Sequence, residues 1–349
     1  MMRIKNRYQP FACMLIGILA LANPQKKEKS EQESSIKVQV EMVSLPVVVT
    51  NREGKQITDL EKEDFRVFED RAPQTIAGFS PVEEPFSIAL LLDTSGSTEQ
   101  RLAQIQNEAI RFVQLLHPDD SVAVLSFDQD VKLHEDFSID RDRNARGIKE
   151  TRAGGSTVLY EAVWLALEEV LRPIKERKAL VLFTDGVDTA SRKASMKETL
   201  ELAKESNAVI YCIYFNTEGD QLSRMTRGPR PTVGGIPLPG GPPVVVGPMP
   251  PVYGPGGPGS SHDEYASGRG YLAQLAEYSG GMVFDALAMQ DLEPAFEHIA
   301  RELASQYSIG YYSTNTRHDG KFRRVEVRMT KPGLLARTRK GYYARKPGK

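Results

Sequence analysis

At 349 residues, with 40% hydrophobic and 26% charged side chains, the chain has the composition of a folded protein with room for a sizeable core and two domains. A formal charge of −1 excludes a general attraction to nucleic acid or to an acidic membrane surface. With two cysteines, a disulfide-stapled scaffold is excluded as well.

The first 22 residues read as a secretory signal. Arg3, Lys5 and Arg7 precede an apolar run from Phe11 to Ala22 that closes in Ala20-Leu21-Ala22. The run falls short of the roughly 20 apolar residues of a comfortable membrane span. Cleavage after Ala22 would export the chain to a periplasmic, cell-surface or secreted location. An uncleaved segment would instead tie it to a membrane. Cleavage also removes Cys13, which leaves Cys212 alone and stability dependent on packing, and it takes the formal charge from −1 to −4. Residues 23–36 are polar and charged, and read as a flexible tether.

Residues 37–82 form a small β unit. Val38, Val40 and Met42 alternate at period two, Val47 and Val49 continue the pattern, and "DFRVFEDRAPQTIAGF" supplies further short strands. From Phe86 the rhythm changes. Phe86–Leu92, Ser121–Phe127, Ala179–Phe183, Val209–Phe215 and Met282–Phe284 are nearly continuous apolar runs, as expected of strands covered on both faces. Helical patterns lie between them: Leu102 to Leu116, stopped by Pro118, and Leu159 to Val170, closed by Pro173. Another begins with the capping box Ser195-Met196-Lys197-Glu198, and two more lie around Leu272–Tyr278 and Leu292–Leu303.

This alternation predicts an α/β domain over 84–305 with a doubly wound, mostly parallel sheet. An insertion at 227–261 carries half of the chain's 22 prolines and reads as a long loop. Over 306–344, "YSIGYYS", "FRRVEVRM" and "LLARTRKGYYA" return to short strands. Three such strands need a partner for their apolar face. The N-terminal strands need one too, so both ends of the chain are expected to join in one accessory β domain.

The chemistry concentrates in "SIALLLDTSGSTEQ", where the first apolar run ends in Asp93. An aspartic protease requires glycine directly after Asp-Thr, and here Ser95 stands in that place. A phosphoaspartate phosphatase requires a second carboxylate two residues on as general acid and base, and that position is again Ser95. An Asp-x-Ser-x-Ser cation site keeps every residue. Asp93, Ser95 and Ser97 can face one point at the carboxyl end of the first strand. "GGSTVLYEA" places Thr157 at a helix start, and "LVLFTDGVD" ends a buried strand in Asp185. The crevice outside the strand ends of an open α/β sheet is where ligands gather. Hydroxyl and carboxylate oxygens suit a hard cation, Mg²⁺ first and Mn²⁺ or Ca²⁺ as alternatives. Without imidazole or thiolate the motif does not suit zinc or copper.

Each residue also has a bland reading. Ser97 could cap a helix starting at Thr98, with Gln100 completing a capping box, and Thr157 could cap its own helix. Asp185-Gly186 could be an ordinary turn. Asp188 reads either as a carboxylate one shell behind the site or, first, as solvated; the His262-Asp263-Glu264 run and the basic C-terminal residues, including Arg337 and Arg339, read as solvated. Cys212 reads as an inert buried thiol, and the Tyr311-Tyr312 and Tyr342-Tyr343 pairs as sheet packing.

The three separated motif pieces, in this order and each at a strand end or helix start, resemble the von Willebrand factor type A domain with its metal-ion-dependent adhesion site. The flanking "LEKEDFRVFEDRAPQTIAGFS" and "KFRRVEVRM" with "RKGYYA" are similar to a bacterial secreted family described as VWFA-related. The resemblance implies direct coordination by Ser95, Ser97 and Thr157. It places Asp93 and Asp185 behind water and leaves a sixth position for a partner protein's Asp or Glu carboxylate. Ser156 departs from the family pattern, which more usually has glycine there. The function so implied is a binding module and not an enzyme. The alternatives are phosphoaspartyl transfer with Asp93 as nucleophile, and a metal-free scaffold.

Overall fold

The computed structural model describes residues 42–81, 84–215, 261–286 and 291–344. The signal segment, the tether and all of the Pro/Gly-rich insertion except Ser261 lie outside the described residues.

A six-stranded sheet is built from β5 (Phe86–Asp93), β6 (Ser121–Phe127), β7 (Val131–Ser138), β8 (Arg177–Thr184), β9 (Val209–Phe215) and β10 (Val283–Ala286), in the order β10-β9-β8-β5-β6-β7. All neighbours are parallel except β6 and β7. Alternate residues of the central strands feed two cores, which is why these strands read as unbroken apolar runs. Phe86, Ile88, Leu90 and Leu92 of β5 pack with Ile105, Ala109 and Phe112 of α1 (Leu102–Leu115), a core that also takes Ile148 of α2 (Arg141–Glu150). Ala89 and Leu91 face the other way, into a core with Leu159 and Val163 of α3 (Leu159–Leu165) and Ala203 of α4 (Met196–Glu205). The remaining helices, α5 (His262–Ser279) and α6 (Leu292–Ala304), cover opposite faces: Tyr271 and Leu272 of α5 join the second core, Phe296 and Ile299 of α6 the first. No helix among the described residues is long and apolar enough to cross a membrane.

Both ends of the described chain build a two-sheet β layer. β1 (Met42–Thr50), β4 (Ile76–Ser80), β11 (Tyr307–Tyr312) and β13 (Leu335–Arg337) form one sheet in the order β13-β1-β11-β4. The second sheet, β14-β12-β2-β3, is made by β2 (Phe65–Glu69), β3 (Ala72–Gln74), β12 (Phe322–Met329) and β14 (Gly341–Tyr343). Leu45, Val47 and Val49 of β1 meet Phe65 and Val67 of β2, Ile309 of β11 and Val325 of β12 in a third core. The alternating burial of β12 shows how one face of this sheet is apolar and the other wet.

Several local readings need correction. The edge strand β7 and helix α2 were not expected. β7 is half-exposed and carries Lys132, His134, Glu135 and Asp136, so it shows no apolar run. α2 is held by its N-cap, since the Asp140 carboxylate accepts from the Asp142 and Arg143 amides, and it offers no apolar stripe to read. His262 and Asp263 are exposed and Glu264 half-exposed, as expected, and the three make the first turn of α5, closed by a capping box between Ser261 and Glu264. Arg337 and Arg339 are not on a solvated face. Arg337 donates to Glu302 of α6 and to the Gly280 carbonyl, and Arg339, 4% exposed, donates to Asn207. Two arginines therefore dock the C-terminal strands onto the α/β layer.

The capping box expected at α4 is present: the Ser195 Oγ accepts from the Glu198 amide, and the Glu198 carboxylate accepts from the Ser195 amide. Ser195→Ala is therefore expected to cost about 1 kcal/mol, read as a lower urea midpoint at unchanged slope.

Candidate metal centre

The strand order reverses at β5, whose two neighbours, β6 and β8, lead away in opposite directions. The crevice above β5 and β8 is the place where a doubly wound sheet opens to a ligand. Asp93 is the last residue of β5, and Asp185 directly follows β8.

Local hydrogen bonds shape the loops there. The Ser95 amide donates to Asp93 Oδ1 at 2.9 Å and turns the chain at the strand end. A short 3₁₀ turn at Gly96–Thr98 follows, fixed by the Thr98 hydroxyl donating to the Ser95 carbonyl at 2.8 Å. Ser97 lies within this turn and caps no helix, because α1 begins only at Leu102. The turn is tied to the Thr157 loop: the Gly96 amide donates to the Gly155 carbonyl at 3.2 Å, and the Gly154 amide to the Thr94 carbonyl at 2.8 Å. Thr157 is tied in turn to the loop after β8. Its amide donates to Thr189 Oγ1 at 2.8 Å, and its carbonyl accepts from the Thr189 and Ala190 amides. Thr157 is not a helix cap either, since the N-cap of α3 is Val158.

Four of the five expected residues form one hydrogen-bonded network. Ser95 Oγ lies 3.1 Å from Ser97 Oγ, and Ser97 Oγ donates to Asp185 Oδ2 at 3.1 Å. Asp93 joins through the Ser95 amide and accepts from Thr184 Oγ1 at 2.7 Å on its other oxygen. Thr157 is bonded through its backbone to Thr189 and Ala190 in the loop after β8, and its hydroxyl makes no hydrogen bond among the described residues. Asp93 is fully buried, and Ser95, Thr157 and Asp185 nearly so. Burial and the repulsion of Asp185 push the Asp93 carboxyl up to about 7, against the hydrogen bonds from Ser95 and Thr184 that favour its charged form.

Hydroxyls and two carboxylates, held under mutual repulsion, are a donor set that a hard divalent cation fits. Among the described residues, no group of three or more His, Cys, Asp or Glu could hold a metal, so a carboxylate-rich or imidazole-rich centre is not offered.

Thr184 and Thr94 are the supporting residues that sequence reasoning missed, and Asp188, noted there, is a third. Thr184 stands immediately before Asp185 in "LVLFTDGVD", and a hydroxyl ending a buried strand is the signal that could have found it. Thr94 anchors its loop to β6, donating through its hydroxyl to the Phe127 carbonyl at 3.1 Å. Asp188 is not simply solvated: its carboxylate accepts from the Tyr160 amide, the Ser191 amide and the Ser191 hydroxyl, and so folds the loop after β8. Cys212 is buried, and burial raises its thiol well above the usual range, so it stays protonated.

Residues 88–187 match the family model described as von Willebrand factor type A domain. An uncharacterised protein of Synechocystis is 29% identical over 106 residues, which is 29% of this chain and 25% of that relative's length. The chain thus spans about a quarter of that relative. Among solved structures, a von Willebrand factor type A protein from Catenulispora acidiphila is 11% identical with a TM-score of 0.45, covering 78% of this chain and 71% of that one. Proximal thread matrix protein 1 of the mussel byssus, with a zinc-occupied MIDAS motif, is 16% identical with a TM-score of 0.42, covering 66% of this chain and 47% of that one.

Proposed function

We propose that the chain, whose residues 88–187 match the von Willebrand factor type A domain model, is an exported binding module that recognises an acidic side chain of a partner protein through a divalent cation, Mg²⁺ first. The observation that carries this reading is the continuous network Asp93–Ser95–Ser97–Asp185 at the sheet's switch point. Ser95, Ser97 and Thr157 would hold the ion directly, and Asp93 and Asp185 would hold it through water. Bound there, the ion would supply an electrophilic coordination position. Neutral hydroxyls leave its charge largely unspent, so a partner carboxylate is attracted strongly. Thr184 and the Ser95 amide keep Asp93 oriented, and the loop bonds around Thr157 keep the three loops in register. Export rests on the basic, apolar and small-residue order of the N-terminal segment.

Both oxygens of Asp93 accept internal hydrogen bonds, and the side chain is fully buried. A nucleophile for phosphoryl transfer needs a free oxygen facing substrate, so this geometry favours binding over turnover.

The test is thermal unfolding of the full chain in Mg²⁺ and in EDTA. At a hundredfold excess over Kd, Mg²⁺ should add about 2.7 kcal/mol of stability to wild type and nothing to Ser95→Ala. A pull-down from envelope extract should lose its captured protein on either EDTA or Ser95→Ala. Wild type that ignores both Mg²⁺ and Mn²⁺ would sink the metal reading. Hydrolysis of a generic phosphate ester, lost in Asp93→Ala, would sink the binding reading in favour of an enzyme.

A further inference from the structure

Helix α5 carries two glycines two residues apart, Gly268 and Gly270. Glycine inside a helix is unfavourable relative to alanine, so each calls for a reason. Gly270 has open space where a Cβ would go, with nothing within 4 Å. Gly268 is the opposite case. A Cβ there would lie 2.4 Å from the Gly186 carbonyl oxygen and 2.6 Å from its carbon, and a Cβ on Gly186 would lie 2.8 Å from the Gly268 carbonyl carbon. Two backbones touch with no side chain between them.

Gly186 directly follows Asp185 and adopts φ +78°, in the left-handed region that favours glycine. Its amide donates to Thr184 Oγ1 at 3.0 Å, and the same hydroxyl donates to Asp93 Oδ2 at 2.7 Å. Asp185 is held in the same turn by the Val187 amide at 3.1 Å. The position of the Gly186 peptide therefore sets both carboxylates of the proposed centre.

We infer that Gly268 is a positioning residue for this centre: by lacking a side chain, it lets α5 serve as the wall against which the Asp185-Gly186 turn is seated. The inference rests on the cation reading given above. It also depends on which side of the contact yields. Tyr265, Tyr271, Leu272 and Leu275 are buried, and the Tyr271 hydroxyl lies 2.9 Å from Thr199 Oγ1 on α4. The helix is thus fixed by its own core face. An added methyl displaces the turn, and with it Asp185, Thr184 and Asp93.

The experiment is calorimetric titration of the full chain with Mg²⁺, well below the melting temperature, for wild type, Gly268→Ala and Gly270→Ala. Gly268→Ala should weaken Mg²⁺ binding at least tenfold. Gly270→Ala should bind within twofold of wild type and melt at a higher temperature. A Gly268→Ala protein that melts lower but keeps its Mg²⁺ affinity within twofold would make Gly268 a packing residue only and overturn the inference. Should that variant not fold, hydrogen exchange on wild type decides instead. Amides of 265–271 should gain protection on Mg²⁺ addition more than those of 273–279, and no such difference overturns the inference. Wild type that does not respond to Mg²⁺ fails the cation reading itself, an outcome visible without any glycine variant, and the inference falls with it.

Discussion

Replacing Glu69 by alanine should destabilise the β layer by about 3–5 kcal/mol, the range for breaking a buried ion pair from one side. Glu69 and Arg323 are each 2% exposed, with Oε1 of the acid 3.3 Å from Nη1 of the guanidinium. The same carboxylate accepts from the Ser313 hydroxyl at 2.6 Å, the Tyr311 hydroxyl at 2.9 Å and the Tyr342 hydroxyl at 2.7 Å. Burial first, and the bond to Glu69 next, push the Tyr342 phenol up to about 12, so it remains a donor at any physiological pH. Alanine would leave three hydroxyls without this acceptor and a buried guanidinium without its buried carboxylate, with Asp319 Oδ1 at 3.7 Å and the Asn315 and Arg317 carbonyls as its remaining partners. The measurement is the urea midpoint. Changing both charges, Glu69→Met with Arg323→Met, should recover part of the loss, because a buried charge stripped of its buried carboxylate costs more than no charge. A Glu69→Ala protein that unfolds at the wild-type midpoint would show that the cluster contributes no stability.

That cluster also marks where sequence reading stops. The parallel strands β5, β6, β8 and β9 could be read because burial on both faces writes apolarity into consecutive residues. Three pieces of "LLLDTSGS", "GGSTV" and "FTDGV" could be read because strand ends and helix starts announce themselves through Asp, Ser, Thr and Gly. Glu69 and Arg323 carried no such signal. Each sits in a strand where a charged residue normally faces water, and only the pairing of β2 with β12 places Glu69 within reach of Arg323. Arg337 and Arg339 were misread for the same reason, since their partners lie on α6 and in the turn before β9. β7 was invisible because an edge strand bonded on one side need not be apolar. At the site, Thr157 was read at a helix start; it stands just before the α3 N-cap, Val158, and its backbone is bonded to Thr189 and Ala190 in the loop after β8. Gly268 was illegible because nothing in "YASGRGY" separates a glycine that touches another backbone from one that faces open space.

Asp93→Asn should have an unusual pair of effects: a metal-free protein more stable than wild type at neutral pH, and complete loss of the Mg²⁺ response. Asp93 is buried against Asp185, and its carboxyl is pushed from 3.8 up to about 7, by burial first and by Asp185 next. A carboxyl whose folded-state pKa is raised contributes stability that is fully present below its unfolded value and is lost as pH rises through the folded one. In EDTA, this group therefore makes wild type more stable near pH 4 than at pH 8, with the change falling between about 4 and 7. Asparagine keeps an oxygen to accept from the Ser95 amide but carries no charge. It should gain on the order of 2 kcal/mol at pH 8, which is about 2–4 °C per kcal/mol in melting temperature. Near pH 5 the difference should shrink, because wild type there carries the proton itself. With Mg²⁺ present the order should reverse, since the charge that burdens the metal-free protein is the one proposed to hold the ion. Melting curves at pH 5 and pH 8, with Mg²⁺ and with EDTA, contain the whole test. An Asp93→Asn protein less stable than wild type in EDTA at pH 8 would mean that the hydrogen bonds to Asp93 outweigh its repulsion by Asp185, and the site would then not be strained toward a cation.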